Sequence, residues 1–400
     1  MASRLAERLE SFFVRVLARP GADQGQNRPV RILLWFLTQL SHLYRGVVSV
    51  RVFLYRRRIL RPHELGCQVI SVGNVTVGGT GKTPVVEVFA RELSKEGRKV
   101  AVLSRGYRRE KPPLTQRVME SFAAGSSQRP PLVVSDGRTL LHDSAVSGDE
   151  PYMLASNLPD VAVLVDKNRV KSGRYAIQKL GCDTLILDDG FQYLQLKHRV
   201  EIVLVDRSNP FGNGNVLPRG ILREPVDNIS RADFIFVTKS DGTGSAELKA
   251  ELRRLNPRAE LIECRHAPRY LQDAFSRERR GLEYLRGLKV VSLCGIAAPL
   301  GFEQELVRRG AVLLKCHRFA DHHRYSQQEL IDIVNDSRRL GVDAVITTEK
   351  DTVRFPRMDR CDVPIYFLRV DIEMVSGAED FHACIERICF KNAPAGRVQA

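Results

Sequence analysis

A glycine-rich run lies between a short β-branched segment and an apolar segment with helical spacing. It reads Val77, Gly78, Gly79, Thr80, Gly81, Lys82, Thr83 and Pro84. Glycines let backbone N–H groups close around phosphate oxygens, and the helix that follows adds partial positive charge at its N-terminus. Lys82 is suited to contact the terminal phosphates and Thr83 to ligate Mg²⁺, while Pro84 fits a first helical turn. The run predicts a nucleotide-binding phosphate loop, although Thr76 stands where the strict pattern has its first glycine.

A pair of carboxylates follows a second apolar run. Residues 185–187 lead directly into Asp188, Asp189, Gly190, Phe191 and Gln192. A phosphate loop needs an acidic metal ligand from a neighbouring strand, and side chains at the carboxyl ends of strands meet ligands at the edge of an α/β sheet. Asp188 and Asp189 are therefore candidates for holding metal and for catalysis. The sequence leaves open which of them contacts the metal.

The segments around these motifs alternate between strand-like and helix-like patterns. The strand-like runs are residues 68–72, 99–103, 161–165, 185–187, 201–205 and 233–237. This alternation predicts an α/β fold with a mainly parallel sheet covered by helices, as in P-loop NTPases. The segment 111–147 is rich in Pro, Ser and Gly and predicts a long loop or insertion.

The N-terminal region combines amphipathic patterns with positive charge. Residues 1–66 carry twelve Arg and four acidic residues, a net +8 within a total of +15. A first helix is predicted before Pro20 and a second over 32–55. The apolar face of the second helix comprises Leu33, Phe36, Leu37, Leu40, Leu43, Tyr44, Val47 and Val48, and its polar stripe comprises Thr38, His42, Arg45 and Ser49 with Gln39 and Ser41 beside it.

This second helix has two interpretations. Its longest uncharged stretch is 32–44, shorter than the ~18–20 residues that span a bilayer. An apolar face beside Arg-rich flanks suits a helix lying in the membrane interface, and it equally suits a helix packed on the domain behind it. Trp35, the one tryptophan, favours the membrane.

Composition excludes several other classes of protein. The content of 43% hydrophobic and 27% charged residues is typical of a folded globular chain. Eight scattered cysteines predict reduced thiols and no zinc site, and the charged first residues predict no signal peptide. The positive charge lies in an amphipathic region without a nucleic-acid-binding motif, so we expect no nucleic-acid partner.

Seven motifs in a fixed order carry a family resemblance. They are Gly-Asn with Val-Gly-Gly-Thr-Gly-Lys-Thr-Pro (73–84), Leu-Ser-Arg-Gly-Tyr (103–107), Gly-Asp-Glu-Pro (148–151), Asp-Asp-Gly-Phe-Gln (188–192), Leu-Arg-Glu-Pro (222–225), Phe-Ala-Asp-His (319–322) and Thr-Thr-Glu-Lys-Asp (347–351). From about residue 30 to 370 the chain resembles the tetraacyldisaccharide 4'-kinase family of the lipid A pathway of Gram-negative bacteria.

The resemblance implies transfer of the γ-phosphoryl group of ATP, with Mg²⁺, to the 4'-hydroxyl of a tetraacylated glucosamine disaccharide 1-phosphate. It implies a peripheral enzyme on the cytoplasmic face of the inner membrane, with no obligate protein partner evident. The implied organisation is a membrane-docking region over 1–60, a P-loop kinase core over 61–285, a smaller C-terminal α/β domain over 286–390 and a tail over 391–400.

The resemblance also implies roles for individual residues. Asp149 pairs with His322, which its position after Phe-Ala-Asp favours over His323, as the base for the sugar hydroxyl, and a carboxylate–imidazole pair can accept such a proton. Lys82 and Thr83 bind phosphates and Mg²⁺, and Asp188 and Asp189 serve metal and catalysis. Substrate or phosphate contacts fall on Arg223, Glu150 and Gln192. Because Asp149 and His322 are far apart in sequence, we expect domain closure to bring them together.

Departures from the family pattern leave alternatives open. Tyr193 stands where the family usually has His, and 294–299 lacks an Asn that often precedes its Pro.

The run Thr238-Lys239-Ser240-Asp241 resembles a guanine-reading pattern, which would suit a P-loop GTPase or metallochaperone-like switch. A second alternative is a non-catalytic membrane-binding nucleotide sensor. GTP preference would favour the switch, and lipid binding without ATP consumption would favour the sensor.

Overall fold

A computed structural model describes residues 27–106, 130–356, 358 and 361–389. The helix expected before Pro20, the Tyr of the 103–107 motif, residues 111–129 of the expected insertion and the tail over 391–400 lie outside the described residues. In the rest of the expected insertion, residues 130–147 form a strand and a short helix.

The described helices and strands alternate along the chain as the sequence predicts. The helices are α1 (Arg28–Arg56), α2 (Lys82–Lys95), α3 (Ser144–Ser147), α4 (Asp149–Asn157), α5 (Arg169–Leu180), α6 (Ala246–Leu255), α7 (Pro299–Arg308), α8 (Gln327–Arg339), α9 (Glu349–Thr352) and α10 (Ala378–Cys389), with 3₁₀ turns at Val226–Arg231 and Leu282–Leu285. The strands are β1 (Gln68–Asn74), β2 (Val100–Ser104), β3 (Leu132–Asp136), β4 (Ala162–Val165), β5 (Thr184–Asp188), β6 (Val200–Asp206), β7 (Phe234–Thr238), β8 (Glu260–Asp273), β9 (Arg279–Arg280), β10 (Lys289–Cys294), β11 (Val312–Arg318), β12 (Ala344–Thr348) and β13 (Ile365–Ser376).

The first of two compact units takes the described residues of 1–104, 168–265 and 373–400. Its strands lie in the order β8-β7-β6-β1-β5-β2 and pair in parallel. In the register of β1 and β5, Val72 pairs with Asp188, so the phosphate loop and the acidic pair begin beside each other. The side chains of Phe89, Phe236 and Phe381 pack edge to face in its core, with ring centroids 5.0–6.4 Å apart.

The second unit takes the described residues of 105–167 and 266–372. Strands β11-β10-β12-β13 pair in parallel in that order, β3 pairs with β4 antiparallel, and β9 pairs with the end of β8 antiparallel. A buried cluster around Leu293, Tyr325 and Val345 packs α8 against this sheet. The mixed α/β class and the mostly parallel sheet are confirmed, whereas the sequence-based boundaries at 60, 285 and 390 stay predictions.

Helix α1 follows the helix predicted over 32–55 and starts earlier, with Pro29 in its first turn. Leu34 and Ser41 are buried, and the Ser41 hydroxyl donates to the carbonyl oxygen of Val216 at 2.7 Å. The predicted apolar face divides: Leu37, Tyr44 and Val48 are half-buried, whereas Leu33, Phe36, Leu40, Leu43 and Val47 are exposed. Among the described helices, α1 included, none combines the length and hydropathy that a bilayer crossing requires.

Candidate active site

The phosphate loop joins the end of β1 to the start of α2. Gly81 has a φ of 82°, the left-handed conformation that glycine adopts readily, and it caps the helix that Lys82 begins. Val77, Gly78 and Gly79 are exposed at the tip of the loop, and Thr83 and Pro84 occupy the first turn of α2. The carbonyl oxygen of Thr80 accepts a 2.9 Å hydrogen bond from the Thr238 hydroxyl, which fixes the loop to the end of β7.

The threonine that replaces the first glycine of the strict pattern is buried in a backbone pairing. Thr76 forms an isolated antiparallel bridge with Leu222. On its two sides the Val77 N–H donates to Ile221 and the Arg223 N–H donates to Val75, each at 2.7 Å. The chain is therefore extended at this position and accommodates a β-branched side chain. The same pairing brings Arg223 to the phosphate loop.

Three charged side chains meet beside the loop. Asp189 lies 3.3 Å from Lys82 Nζ, and Arg223 Nη1 donates to both of its carboxylate oxygens at 2.7 Å. Lys82 also donates to the Asn74 Oδ1 at 3.2 Å. Burial by itself raises the pKa of Asp189, but the charges of Lys82 and Arg223 outweigh it and leave the pKa below its usual value. Asp189 is thus an ionised carboxylate that holds two cations in place.

Asp188 and Thr83 supply buried oxygen atoms on neighbouring elements. Asp188 is 4% exposed at the end of β5, and its Oδ2 accepts from the Ser104 hydroxyl at 3.2 Å. Thr83 is buried in the first turn of α2. Asp189 thus contacts two cations, and Asp188 accepts a hydrogen bond from a hydroxyl.

Gln192 connects the acidic segment to the loop and to α1. Its Nε2 donates to the Asn74 carbonyl oxygen at 2.9 Å, and its Oε1 lies 3.4 Å from Arg223 Nη1. Its own carbonyl oxygen accepts from Arg51 of α1 at 3.2 Å, and Tyr44 of α1 donates to the Arg223 carbonyl oxygen at 3.0 Å. Two candidate substrate-binding residues are therefore bonded directly to α1.

Tyr193, which replaces the usual His, supports the next helix. Its hydroxyl accepts from the Arg169 N–H at 3.0 Å at the start of α5, and the Arg169 guanidinium lies 4.9 Å above its ring. These contacts need a hydroxyl and an aromatic face rather than a positive charge. Tyr193 thus stabilises the N-terminal end of α5 through its contacts with Arg169.

Asp149 and His322 are brought together within the second unit. His322 Nδ1 lies 3.0 Å from Asp149 Oδ2. Both belong to the same unit because the segment 105–167 packs with 266–372, so the expectation that domain closure is needed to form the pair is wrong. Burial raises the pKa of Asp149, but contacts with His322 and Arg354 lower it more, and the net pKa is below its usual value. The catalytic role of the pair stays a prediction.

The two adjacent histidines, His322 and His323, have different contacts. His323 stacks on Phe319 with ring centroids 4.5 Å apart, and its Nε2 lies 3.2 Å from Glu329, which belongs to the N-terminal capping box of α8. His322 has a φ of 66°, an uncommon value for a non-glycine residue, and faces Asp149. Glu150, the other candidate on α4, accepts from Lys350 Nζ at 3.2 Å.

Sequence reasoning missed Arg354, which contacts the Asp149–His322 pair. Arg354 Nε donates to Asp149 Oδ2 at 2.8 Å, and its side chain is wholly buried. It lies three residues after the Thr-Thr-Glu-Lys-Asp motif, and the only signal in the sequence was an arginine close to that motif.

Comparison with known proteins identifies related chains over most of this length. The family model described as LpxK, tetraacyldisaccharide-1-P 4'-kinase, matches residues 33–389. A tetraacyldisaccharide 4'-kinase from Halothermothrix orenii is 35% identical over 393 residues, 94% of this chain and 97% of that protein. One from Anaeromyxobacter sp. (strain K) is 40% identical over 352 residues, 86% of this chain and 87% of that protein. A solved structure described as "apo" form LpxK from Aquifex aeolicus in complex with ATP superposes with a TM-score of 0.67 at 26% identity, covering 90% of this chain and all of that one.

Proposed function

The chain belongs to the tetraacyldisaccharide-1-P 4'-kinase family, and on that premise we propose which of its residues carry out the reaction. It is an ATP-dependent kinase that phosphorylates the 4'-hydroxyl of the tetraacylated disaccharide 1-phosphate precursor of lipid A. The observation that carries the residue assignment is the contact of Asp189 with both Lys82 and Arg223 beside the phosphate loop.

These two cations stabilise the transferring phosphoryl group. Negative charge on its oxygens must be balanced in the transition state, and preorganised cations do so without reorganising as the reaction proceeds. Asp189 positions the Lys82 ammonium and the Arg223 guanidinium from one side. The backbone N–H groups of residues 78–83 bind the remaining phosphate oxygens, and Val77 and Pro84 flank this part of the loop.

Thr83 and Asp188 are the residues suited to hold Mg²⁺. Mg²⁺ prefers hard oxygen donors and is usually bound by one or two protein ligands together with substrate phosphates. A threonine hydroxyl and a carboxylate meet that requirement, and Asp189 is less suited because Lys82 and Arg223 already neutralise it. When bound, the ion neutralises charge on the phosphate oxygens.

The Asp149–His322 pair accepts the proton of the 4'-hydroxyl. The 3.0 Å contact fixes the imidazole against an ionised carboxylate, which is the arrangement that general-base catalysis needs. Asp149 is the first residue of α4, where the helix N-terminus favours a negative charge. Arg223, Gln192 and Glu150 are proposed to contact the sugar or its phosphate.

Helix α1 is proposed to attach the enzyme to the cytoplasmic face of the inner membrane as a peripheral protein. Five exposed apolar side chains follow helical spacing along one side of it and form an outer stripe: Ile32, Phe36, Leu43, Val47 and Val50. Arg56, Arg57, Arg58 and Arg61 follow, and each cation near an anionic surface adds about 1 kcal/mol. The inner side of α1 bonds to the Arg223 and Gln192 backbones, so attachment here keeps the site near a substrate anchored by acyl chains.

The guanine-reading alternative is not favoured by the family membership. Asp241 pairs with Arg207 at 2.9 Å and accepts from the N–H of Thr243 in its own turn. Thr238 holds the phosphate loop through Thr80. These contacts give the Thr238–Asp241 run a structural use that requires no guanine.

Labelled ATP and a tetraacylated disaccharide 1-phosphate in mixed micelles test the residue assignment. We expect Lys82→Met to lower kcat by at least 10²-fold, because it removes a charge at the transferring group. Lys95→Met, in the last turn of the same helix and exposed beside Glu92, is the matched control and should leave kcat unchanged. Equal kcat in both variants would contradict the assignment.

A further inference from the structure

The least exposed arginine side chain near the proposed base is Arg354. It follows α9 and is wholly buried, with 0% of its side chain accessible. A buried guanidinium stays charged, and its desolvation must be offset by hydrogen bonds to carboxylates or carbonyls. The hydrogen-bond partners of Arg354 therefore show which groups offset the desolvation of its charge.

Those contacts reach three separate segments of the second unit. Nε donates to Asp149 Oδ2 at 2.8 Å, the same oxygen that His322 Nδ1 contacts. Nη1 donates to the Gly295 carbonyl oxygen at 3.1 Å and to Asp351 Oδ1 at 3.3 Å. Nη2 lies 3.3 Å from His322 Nδ1. One guanidinium thus joins its own segment after β12 to α4, the loop after β10 and the loop after β11.

The backbone under His322 belongs to the same network. The His322 N–H donates to the Gly295 carbonyl oxygen at 3.2 Å, which also accepts from Arg354. The Gly295 N–H donates to Asp351 Oδ1 at 3.0 Å, and the Tyr325 hydroxyl donates to the same oxygen at 3.0 Å. A Cβ on Gly295 would lie only 3.0–3.2 Å from oxygen atoms of Ala320, Tyr325 and Asp351, so a side chain here would require these neighbours to shift by a few tenths of an ångström.

We infer that Arg354 is a positioning residue for the proton-accepting pair. It holds Asp149 through Oδ2, and it holds His322 indirectly through the Gly295 carbonyl oxygen that the His322 N–H contacts. The inference rests on the proposed role of Asp149 and His322. Arg354 fixes the carboxylate by a directed bond, and it supports the left-handed backbone of His322 by fixing the carbonyl that this backbone contacts.

The charge of Arg354 also opposes protonation of Asp149, to which its Nε donates at 2.8 Å. Among the described residues, charge beside the pair also comes from Asp321, 3.8 Å from His322 Nε2, and from Arg324, 3.8 Å from Asp149 Oδ1, with Asp351 behind Arg354. An arginine beside an aspartate typically lowers the carboxyl pKa by about 1–3 units. Without Arg354 the Asp149 carboxylate takes up a proton at higher pH, and less of it is ionised against His322.

The test compares Arg354→Met and Arg354→Lys with the wild type in the full-length enzyme. We expect Arg354→Met to lower kcat about 10²-fold with little change in the KM for ATP, since small displacements of catalytic groups have effects of this size. The acidic limb of its kcat/KM profile should move up by about one pH unit or more. Arg354→Lys keeps the positive charge but loses the planar guanidinium that donates to several acceptors at once. We therefore expect kcat to fall while the acidic limb stays near that of the wild type.

The control is Arg338→Met, which removes an exposed arginine paired with Asp362 in the same unit. If either Arg354 variant folds, binds ATP and keeps both wild-type kcat and the wild-type acidic limb, the positioning role is overturned. Should Arg354→Met not fold, Arg354→Lys with unchanged kcat has the same meaning. Asp149→Asn is measured in parallel: wild-type kcat there refutes the proposed base itself, whereas an inactive Asp149→Asn beside an unaffected Arg354→Met refutes only the positioning role.

Discussion

Replacing three side chains of the outer stripe of α1 by serine should release the protein from membranes without altering its active site. Ile32, Leu43 and Val47 are 69%, 68% and 61% exposed, so most of each side chain is free to enter a lipid interface. Full burial of such a side chain stabilises by about 1.5–3 kcal/mol, and about two-thirds of that gives roughly 1–2 kcal/mol each. The triple change should therefore weaken partition by roughly 3–6 kcal/mol, or about 10²–10⁴-fold.

The assay is co-sedimentation with vesicles of zwitterionic and anionic phospholipid at a series of lipid concentrations. The matched control replaces Leu300, Val307 and Val312 of the second unit by serine, since these apolar side chains are also 46–59% exposed. Deleting α1 is a poorer experiment, because it also removes the bonds from Tyr44 and Arg51 to the backbone of the active site.

The kinase assay with detergent-dispersed substrate completes the experiment, and the stripe variant should keep its kcat there. If the stripe variant partitions like the wild type, or if the control variant loses binding equally, α1 is not the docking element. Partition of the wild type should also weaken with rising salt, because the Arg cluster after α1 acts through screened charge.

Three further substitutions test the site itself. Asp188→Asn should lower kcat by at least about 10²-fold, because it weakens charge stabilisation at the phosphates. Asp183→Asn, just before the same strand, is the control and should leave kcat unchanged. Equal effects of the two substitutions would contradict the metal assignment. His322→Ala should chiefly lower kcat while calorimetric ATP binding persists, and loss of ATP affinity alone would contradict its role as base partner. Tyr193→Phe removes the acceptor for the Arg169 N–H and should lower the free energy of unfolding in urea by about 1 kcal/mol with kcat unchanged; a lower kcat at unchanged stability would instead place Tyr193 in the reaction.

The local parts of the fold follow from short stretches of sequence. The strand and helix around the Gly-Lys-Thr run are determined by β-branched residues, glycines and a proline that are adjacent in the chain. The strands predicted from apolar runs are found as β1, β2 and β4–β7. These patterns suffice because each element is encoded by its own residues.

The arrangement of distant segments does not follow from such patterns. Asp149 and His322 are 173 residues apart and meet because the chain returns to the second unit after residues 168–265, which belong to the first unit. Apart from lying close to the 347–351 motif, Arg354 has no signal in the sequence, since an arginine near a turn is ordinary until its burial is known. The inner side of helix α1 could not be predicted for the same reason. Ser41 and Tyr44 lie on that side because their hydroxyls donate hydrogen bonds to the carbonyl oxygens of Val216 and Arg223, which are distant in sequence.

The most direct test of the account is the identity of the phosphorylated product. The wild-type enzyme is incubated with ATP and a tetraacylated disaccharide 1-phosphate, and the lipid is analysed by phosphorus NMR and mass spectrometry alongside the ADP released. We predict a second monophosphate at the 4'-position, one ADP for each lipid phosphorylated, and loss of this product in Lys82→Met. ADP release without a lipid phosphate, or the same product formed by Lys82→Met, would contradict the account.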